Sequence, residues 1–212
     1  ISACLVGSEM CIRDSNKLGR PIKLRLDRDE DFMVTGKRHP FAYEYDVGFD
    51  DTGRITGLKL QMAANCGFSA DLSGPVADRA VFHADNAYYL SDVEIASYRC
   101  KTNTQSHTAF RGFGGPQGVI VIEAILGDIA RALGRDAQDV RLANLYGKDA
   151  STGRHVTHYQ MAVEDNILHE LLPTLEQTSH YRQRQAEIAD WNAHNPAVSY
   201  THLRAHETGR NL

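Results

Sequence analysis

The run GVIVIEAILGDIARALG (118–134) constrains this chain more than any other stretch. Ile122, Ile125, Leu126, Ile129 and Leu133 recur at helical spacing, and Val119 and Val121 carry apolar surface beyond that stripe. A helix apolar nearly all round has to be covered by protein on most sides. It predicts a central helix with surface meant for further neighbours. Directly before it stands AFRGFGGPQG (109–118), with Pro116 where a helix best tolerates proline, at its first position. The first amides of such a helix lack intrahelical acceptors and carry partial positive charge. Glycines there allow an anionic or oxygen-rich ligand to approach the backbone, or simply a tight turn before a buried helix. Spacing leaves both open and leans toward the turn.

Strand patterns come first along the chain. PIKLRLDRD (21–29) alternates Ile22, Leu24 and Leu26 with charged residues, which predicts a half-buried strand. AYEYDVGF (42–49) and RITGLKLQMAANC (54–66) alternate as well, and the DDTG between them predicts a hairpin. EIASYRCKT (94–102) supplies a fourth strand. Helices follow: 118–134, then DAQDVRLANLY (136–146) with Asp136 as N-cap, VEDNILHELLPTLEQTS (163–179) and YRQRQAEIADWNAHN (181–195). Pro173 should kink or end the third of these. Strands in the first half and helices in the second imply an α+β fold.

The two ends are related as codons, not as protein. Asp14 as GAC reads GTC on the opposite strand, which is Val198; Met10 (ATG) gives His202 (CAT), and Ile1 (ATT) gives Asn211 (AAT). An uninterrupted inverted repeat of this kind resembles translated sequencing adapter. Residues 1–15 and 198–212 are therefore set apart as artefactual flanks, leaving 16–197 as a fragment of a longer protein. Between the flanks only Cys66 and Cys100 remain, too far apart for a metal cluster or a disulfide framework. Both are expected to be small buried residues, and the cytoplasm is the default location. A formal charge of −4 gives no electrostatic ground for nucleic-acid binding. No apolar run is long enough to span a membrane.

AFRGFGGPQG resembles the loop lining the molybdenum centre in molybdenum hydroxylases of the xanthine dehydrogenase and aldehyde oxidase family. GRPIKLRLDRDEDFMVTGKRHPF (19–41), CGFSADLSGPVADRAVFHADNAYYL (66–90) and RCKTNTQSHTAFRGFGGPQG (99–118) are similar, in order, to the molybdopterin-binding subunit of that family. NLYG (144–147) and VEDN (163–166) continue the resemblance. It implies a piece of the molybdopterin-binding domain, carrying a molybdenum–molybdopterin cofactor. It implies oxidation of hypoxanthine and xanthine to urate, in which a metal-bound hydroxyl attacks an electron-poor ring carbon and hydride passes to a sulfido ligand. Electrons would then leave through iron–sulfur clusters and FAD, on a partner subunit or domain, to NAD. A homo-oligomer of the resulting heterodimer is implied as well.

Carried over by position, the resemblance makes Arg79 in VADRAVFH both a substrate-binding and a catalytic residue, and Phe113 a ring face for a flat purine. Phe110, Arg111 and Gly112 fall on the cofactor side, with the Arg111 backbone N–H near an oxygen on molybdenum but not a ligand to the metal. The chemistry accords with these roles. A guanidinium can bond purine carbonyl oxygens and stabilise charge developing on the ring. A phenylalanine face favours an offset-stacked heteroaromatic.

Each residue also has a plainer reading. Arg79 alone would be a surface partner of Asp78 or Asp85, and Phe113 alone a core residue. HVTH (155–158) reads as a solvated loop before it reads as a zinc site, and LDRDEDF (26–32) as a charged strand end. The family's upstream glycine-rich segment, its cysteine-rich cluster segments, its FAD fingerprint and its late glutamate base are not in the sequence, so the chain alone is expected to be inactive. Two rivals stay open: a hydroxylase of aldehydes or other N-heterocycles, and a non-catalytic module binding an anion at the helix start. Arg79 and the GGPQ ending favour the purine enzyme over the first. The related carbon monoxide dehydrogenases fit less well, because their loop is expected to carry a cysteine ligand to copper and AFRGFGG has none.

Overall fold

Alternation and a well-made turn produce the sheet. The computed structural model describes residues 11–195, so most of the two codon-paired ends lies outside the described residues. β1 (Phe41–Phe49) and β2 (Ile55–Gly67) pair antiparallel as the DDTG hairpin requires. Asp50 builds the turn: its carboxylate accepts from the Thr52 and Arg54 amides at 2.8 and 3.1 Å, and Gly53 supplies a φ of 83°. Along β2, Leu58, Leu60, Met62 and Ala64 are buried at every second position. β3 (Val93–Lys101) adds on the other side of β2, in the order β1-β2-β3, but parallel to it. A parallel neighbour needs a long crossover, and the crossover contains a helix.

The chain divides into two units, Ile1–Val163 and Glu164–Leu212. In the first, after a helical stretch at 11–18, come α1 (Arg28–Val34), α2 (Ser73–Phe82, the crossover), α3 (Gly115–Leu133) and α4 (Ala137–Asn144). α3 packs against α2, α4 and β1. Its stripe of Ile122, Ile125, Leu126 and Ile129 is at most 1 % exposed, and Leu60, Met62, Val76 and Val140 of the elements around it are fully buried too. Each such side chain contributes about 1.5–3 kcal/mol by leaving water. Its apolar excess also appears as anticipated: Val121 is buried, while Ile120 is 62 % exposed. Asp136 caps α4 by accepting from the Gln138 amide. At the other end of α4, fully buried Asn144 donates to the carbonyls of Gly53 and Val140 and accepts from the Ile55 amide, each at 2.8 Å. NLYG thereby ties the hairpin turn to the helix layer.

Four expectations need correction. Residues 21–27 form no strand: the segment has no ladder partner among the described residues, and Leu24 and Leu26 are 50 % and 38 % exposed. Alternation specifies a pleated face, but a strand also requires a neighbour for its amides and carbonyls. LDRDEDF is no strand end either. Asp27 accepts from the Glu30 amide and Glu30 returns the bond to the Asp27 amide, a capping box that starts α1. Cys66 is buried as expected, whereas Cys100 is exposed on β3. HVTH is not a solvated loop, because His158 is buried with its Nε2 on the Val81 carbonyl at 3.0 Å. The helices thus begin earlier than the sequence suggested, with α1 and α2 in the first half.

In the second unit, α5 (Leu168–Thr178) and α6 (Tyr181–His194) are joined by a turn with His180 at φ 53°. α5 starts after Asn166, whose side chain accepts from the Leu168 amide, and Pro173 sits inside it without ending it. Neither helix buries a residue completely; Leu171, Leu175 and Trp191 are all at least 40 % exposed. No helix among the described residues is long and apolar enough to cross a membrane.

Candidate active site

The crossover helix carries Arg79. α2 turns Val76, Ala77 and Ala80 into the core and leaves Asp78 and Arg79 facing out. Neither acid considered as an Arg79 partner takes that part: Asp78 pairs with Arg99 of β3, and Asp85 is buried against the Tyr146 hydroxyl, with His158 3.6 Å away. Among the described residues no carboxylate neutralises the Arg79 guanidinium. Its carbonyl accepts from both the His83 amide and His83 Nδ1, at 3.1 and 3.0 Å, which draws the His83 ring back along the helix.

The glycine loop is seated on that same helix. A Cβ on Gly114 would lie 2.0 Å from the Val76 carbonyl oxygen, and one on Gly118 would lie 2.3 Å from that of Ala80. Backbone therefore packs on backbone over the turn that bears Arg79. At Gly112, the Cβ position is occupied by the Pro116 ring, at 2.6 Å. The room these glycines leave is filled by the chain itself, as the tight-turn reading anticipated.

The start of α3 is satisfied in the same way. Gly115 N–H donates to the Gly112 carbonyl, the Gln117 and Gly118 amides donate to that of Gly114, and Pro116 has no N–H. Of the amides at the helix start only that of Gly114 has no acceptor among the described residues, and Gly114 is buried against α2. One turn earlier the situation reverses. Phe113 N–H closes onto the Phe110 carbonyl at 2.8 Å, with Phe113 at φ 49° and half-buried. The amides of Phe110, Arg111 and Gly112 have no acceptor among the described residues, and all three residues are exposed. Donors of this sort suit an oxygen-rich, anionic group.

Behind the loop lies a buried polar layer that sequence reading missed. His39, 2 % exposed, bonds Ser73 Oγ through Nε2 at 2.8 Å, which fixes the first residue of α2. Gln117 donates to the His39 carbonyl at 3.3 Å, and the Tyr43 hydroxyl donates to the Gln117 carbonyl at 2.8 Å. Burial holds the Tyr43 hydroxyl up at about 12. Burial, aided by the nearby His107, lowers the His39 pKa, while Asp71 opposes them. Gln117 Oε1, His107 Nδ1 and Thr108 Oγ1 are buried there without a hydrogen-bond partner. Arg38 is the other residue missed. Its guanidinium stacks over the Phe110 ring at 4.4 Å and its Nη2 donates to the Arg111 carbonyl at 2.6 Å. GKRHPF gave no signal for this contact, which joins residues far apart in sequence.

The structure brings Arg79's helix turn and the 110–114 loop together through Gly114 and Gly118. It does not enclose Arg79 and Phe113 in either of the two concavities that stand out among the described residues. One of those is lined by Gly48, Gly57 and Asp92 and the other by Cys11, Arg20 and Ile22. Among the described residues, no three His, Cys, Asp or Glu side chains are grouped to hold a metal ion.

The family model of the molybdopterin cofactor-binding domain matches residues 5–145. Xanthine dehydrogenase of Drosophila subobscura is 44 % identical over 179 residues, covering 84 % of this chain and 13 % of that protein. Xanthine dehydrogenase/oxidase of Gallus gallus is 42 % identical with the same coverage. The chain thus spans about an eighth of the length of these relatives. The solved aldehyde oxidoreductase of Desulfovibrio desulfuricans superposes with a TM-score of 0.71 at 22 % identity, over 84 % of this chain and 19 % of that one. CO dehydrogenase of Oligotropha carboxidovorans superposes at 0.74 and 20 % identity, over 88 % of this chain and 24 % of that one. At these identities the superpositions speak for the fold.

Proposed function

The chain belongs to the molybdopterin cofactor-binding family, and from that premise we propose that it forms part of the catalytic subunit of a xanthine dehydrogenase-type enzyme oxidising hypoxanthine and xanthine to urate. The observation that carries the proposal is the contrast within one loop. Amides at Phe110–Gly112 are unmatched, and the loop rests on the helix turn that bears an unneutralised arginine. When bound, the molybdenum–molybdopterin group supplies oxygen insertion into the ring and takes up two electrons. This chain's residues do the rest of what falls to it. The Arg111 N–H, with its neighbours, holds an oxygen of the group by hydrogen bonding. Phe113 offers a ring face to the flat substrate, and Arg79 bonds a purine carbonyl oxygen and stabilises negative charge as it develops.

Iron–sulfur clusters and FAD on a partner subunit or domain would supply the route for the electrons to NAD, in a cytoplasmic homo-oligomer of the heterodimer. A module that binds an anion at the helix start is disfavoured, because the amides at Gly115, Gln117 and Gly118 already have acceptors. The test uses the full-length enzyme containing this chain, assayed with xanthine, hypoxanthine and an aldehyde panel alongside molybdenum analysis. Near-stoichiometric molybdenum with urate formation is expected. Aldehyde oxidation without xanthine oxidation would reverse the substrate assignment, and a molybdenum-free protein whose loop binds phosphate would restore the module. The 212-residue chain alone is expected to show no xanthine turnover.

A further inference from the structure

We propose that Arg38 is a positioning residue that aims the Gly112 amide of the loop, beside that of Arg111, an inference that rests on the catalytic reading above. A trans peptide is planar, with its C=O and N–H pointing in opposite directions. The Arg111 carbonyl shares a peptide plane with the Gly112 N–H. By holding that carbonyl at 2.6 Å, Arg38 Nη2 turns the Gly112 N–H away from itself, toward the open side of the loop. The same guanidinium lies over the Phe110 ring at 4.4 Å, so it also fixes the residue preceding Arg111. One flat cation thus grips both sides of the Arg111 backbone.

Among the described residues nothing else holds the Arg111 carbonyl. Gly112 has no side chain to anchor its N–H; at φ 93° it meets the Pro116 ring, and its carbonyl accepts from the Gly115 amide. Arg111 makes no side-chain hydrogen bond or ion pair among the described residues, and the Phe113 amide turns inward to the Phe110 carbonyl. Arg38, by contrast, stands on a fixed base. The preceding Lys37 carbonyl accepts from the Thr108 amide at 3.1 Å, and the following His39 is buried on Ser73. The base that holds Arg38 is therefore the same polar layer that fixes α2. Arginine suits the task and lysine does not: only a planar fork stacks on a ring while donating at its edge.

The test compares Arg38→Ala and Arg38→Lys with the parent in the full-length enzyme. Hydrogen exchange of segment 108–115 is followed in the cofactor-free form, and molybdenum content, kcat, KM and the Mo(V) resonance signature in the loaded form. Both variants are expected to exchange the hydrogen-bonded amides of that segment, Thr108, Phe113 and Gly115, about tenfold faster. The loaded Arg38→Ala enzyme should keep its molybdenum, lose roughly a hundredfold in kcat with little change in KM, and show an altered signature. Added guanidinium ion should restore part of the rate. Unchanged exchange over 108–115 overturns the proposal, as does full kcat at full molybdenum content. If Arg38→Ala does not accumulate, the exchange of Arg38→Lys decides in its place. If the parent lacks molybdenum, the catalytic reading falls, while the exchange experiment still reports on the clamp.

Discussion

At Gly114 and Gly118 the chain presses on the backbone of the crossover helix, whereas Phe110–Gly112 touch only the loop's own Pro116 and the Arg38 side chain, are exposed, and have amides with no acceptor among the described residues. Both stretches belong to a single glycine-rich motif, and from sequence they look alike. Their surroundings separate them: Gly114 and Gly118 let two helices touch through their backbones, while the three residues at 110–112 leave donors facing out. A glycine-rich loop before a helix is therefore a mixture, and the helix start need not be where a ligand is held.

The contrast is most severely tested at Gly114. Alanine there would set a Cβ 2.0 Å from the Val76 oxygen on a residue at φ 96°. We expect the full-length protein to lose about 3–5 kcal/mol of stability in urea unfolding; an unchanged midpoint would remove the packing half of the contrast. Next in size is Arg79→Ala. In the full-length enzyme, kcat/KM for xanthine should fall by about 10²–10³-fold, with the unfolding midpoint nearly unmoved because the side chain is exposed. Equal losses in rate and stability would make Arg79 structural.

A smaller effect concerns the polar layer beneath both stretches. The folded-state pKa of His39 lies below its ordinary 6.5. The unfolded chain therefore binds the proton more readily, and the stability conferred by the neutral ring is complete above roughly pH 6.5 and declines as pH falls toward the folded value. Thermal midpoints between pH 7.5 and 5.5 should drop more in the parent than in His39→Gln, and parallel curves would refute the idea. Smallest of all is Arg111→Gln, which should shift stability by no more than about 0.5 kcal/mol, since the role proposed for Arg111 belongs to its backbone. A larger thermal shift would show that its side chain holds the loop.

The sequence revealed what local rules decide. DDTG between alternating runs predicted the hairpin, Asp136 capped its helix, and the period of 118–134 located the stripe that fills the core. Reading was weaker wherever a partner decides. The 21–29 alternation lacked a neighbouring strand, although Asp27 and Glu30 at capping-box spacing were visible and pointed to a helix. α2 escaped notice because it opens on Leu72 without a side-chain cap, and its inner face is mostly alanine and serine. The parallel placement of β3 follows from that unrecognised crossover. At the site, the resemblance supplied Arg79 and the loop, but Arg38 and His39 act through contacts across 73 and 34 positions, which no spacing rule conveys.

The close seating of α3 on α2 has a mechanical consequence. Side chains at an ordinary helix interface can change rotamer and absorb a small displacement, but a carbonyl against a glycine has no such slack. Movement of the loop must therefore be passed on to the turn bearing Arg79, as through a rigid linkage. Any adaptation to a bulkier or slimmer substrate has to come from some other wall, because these two parts travel together.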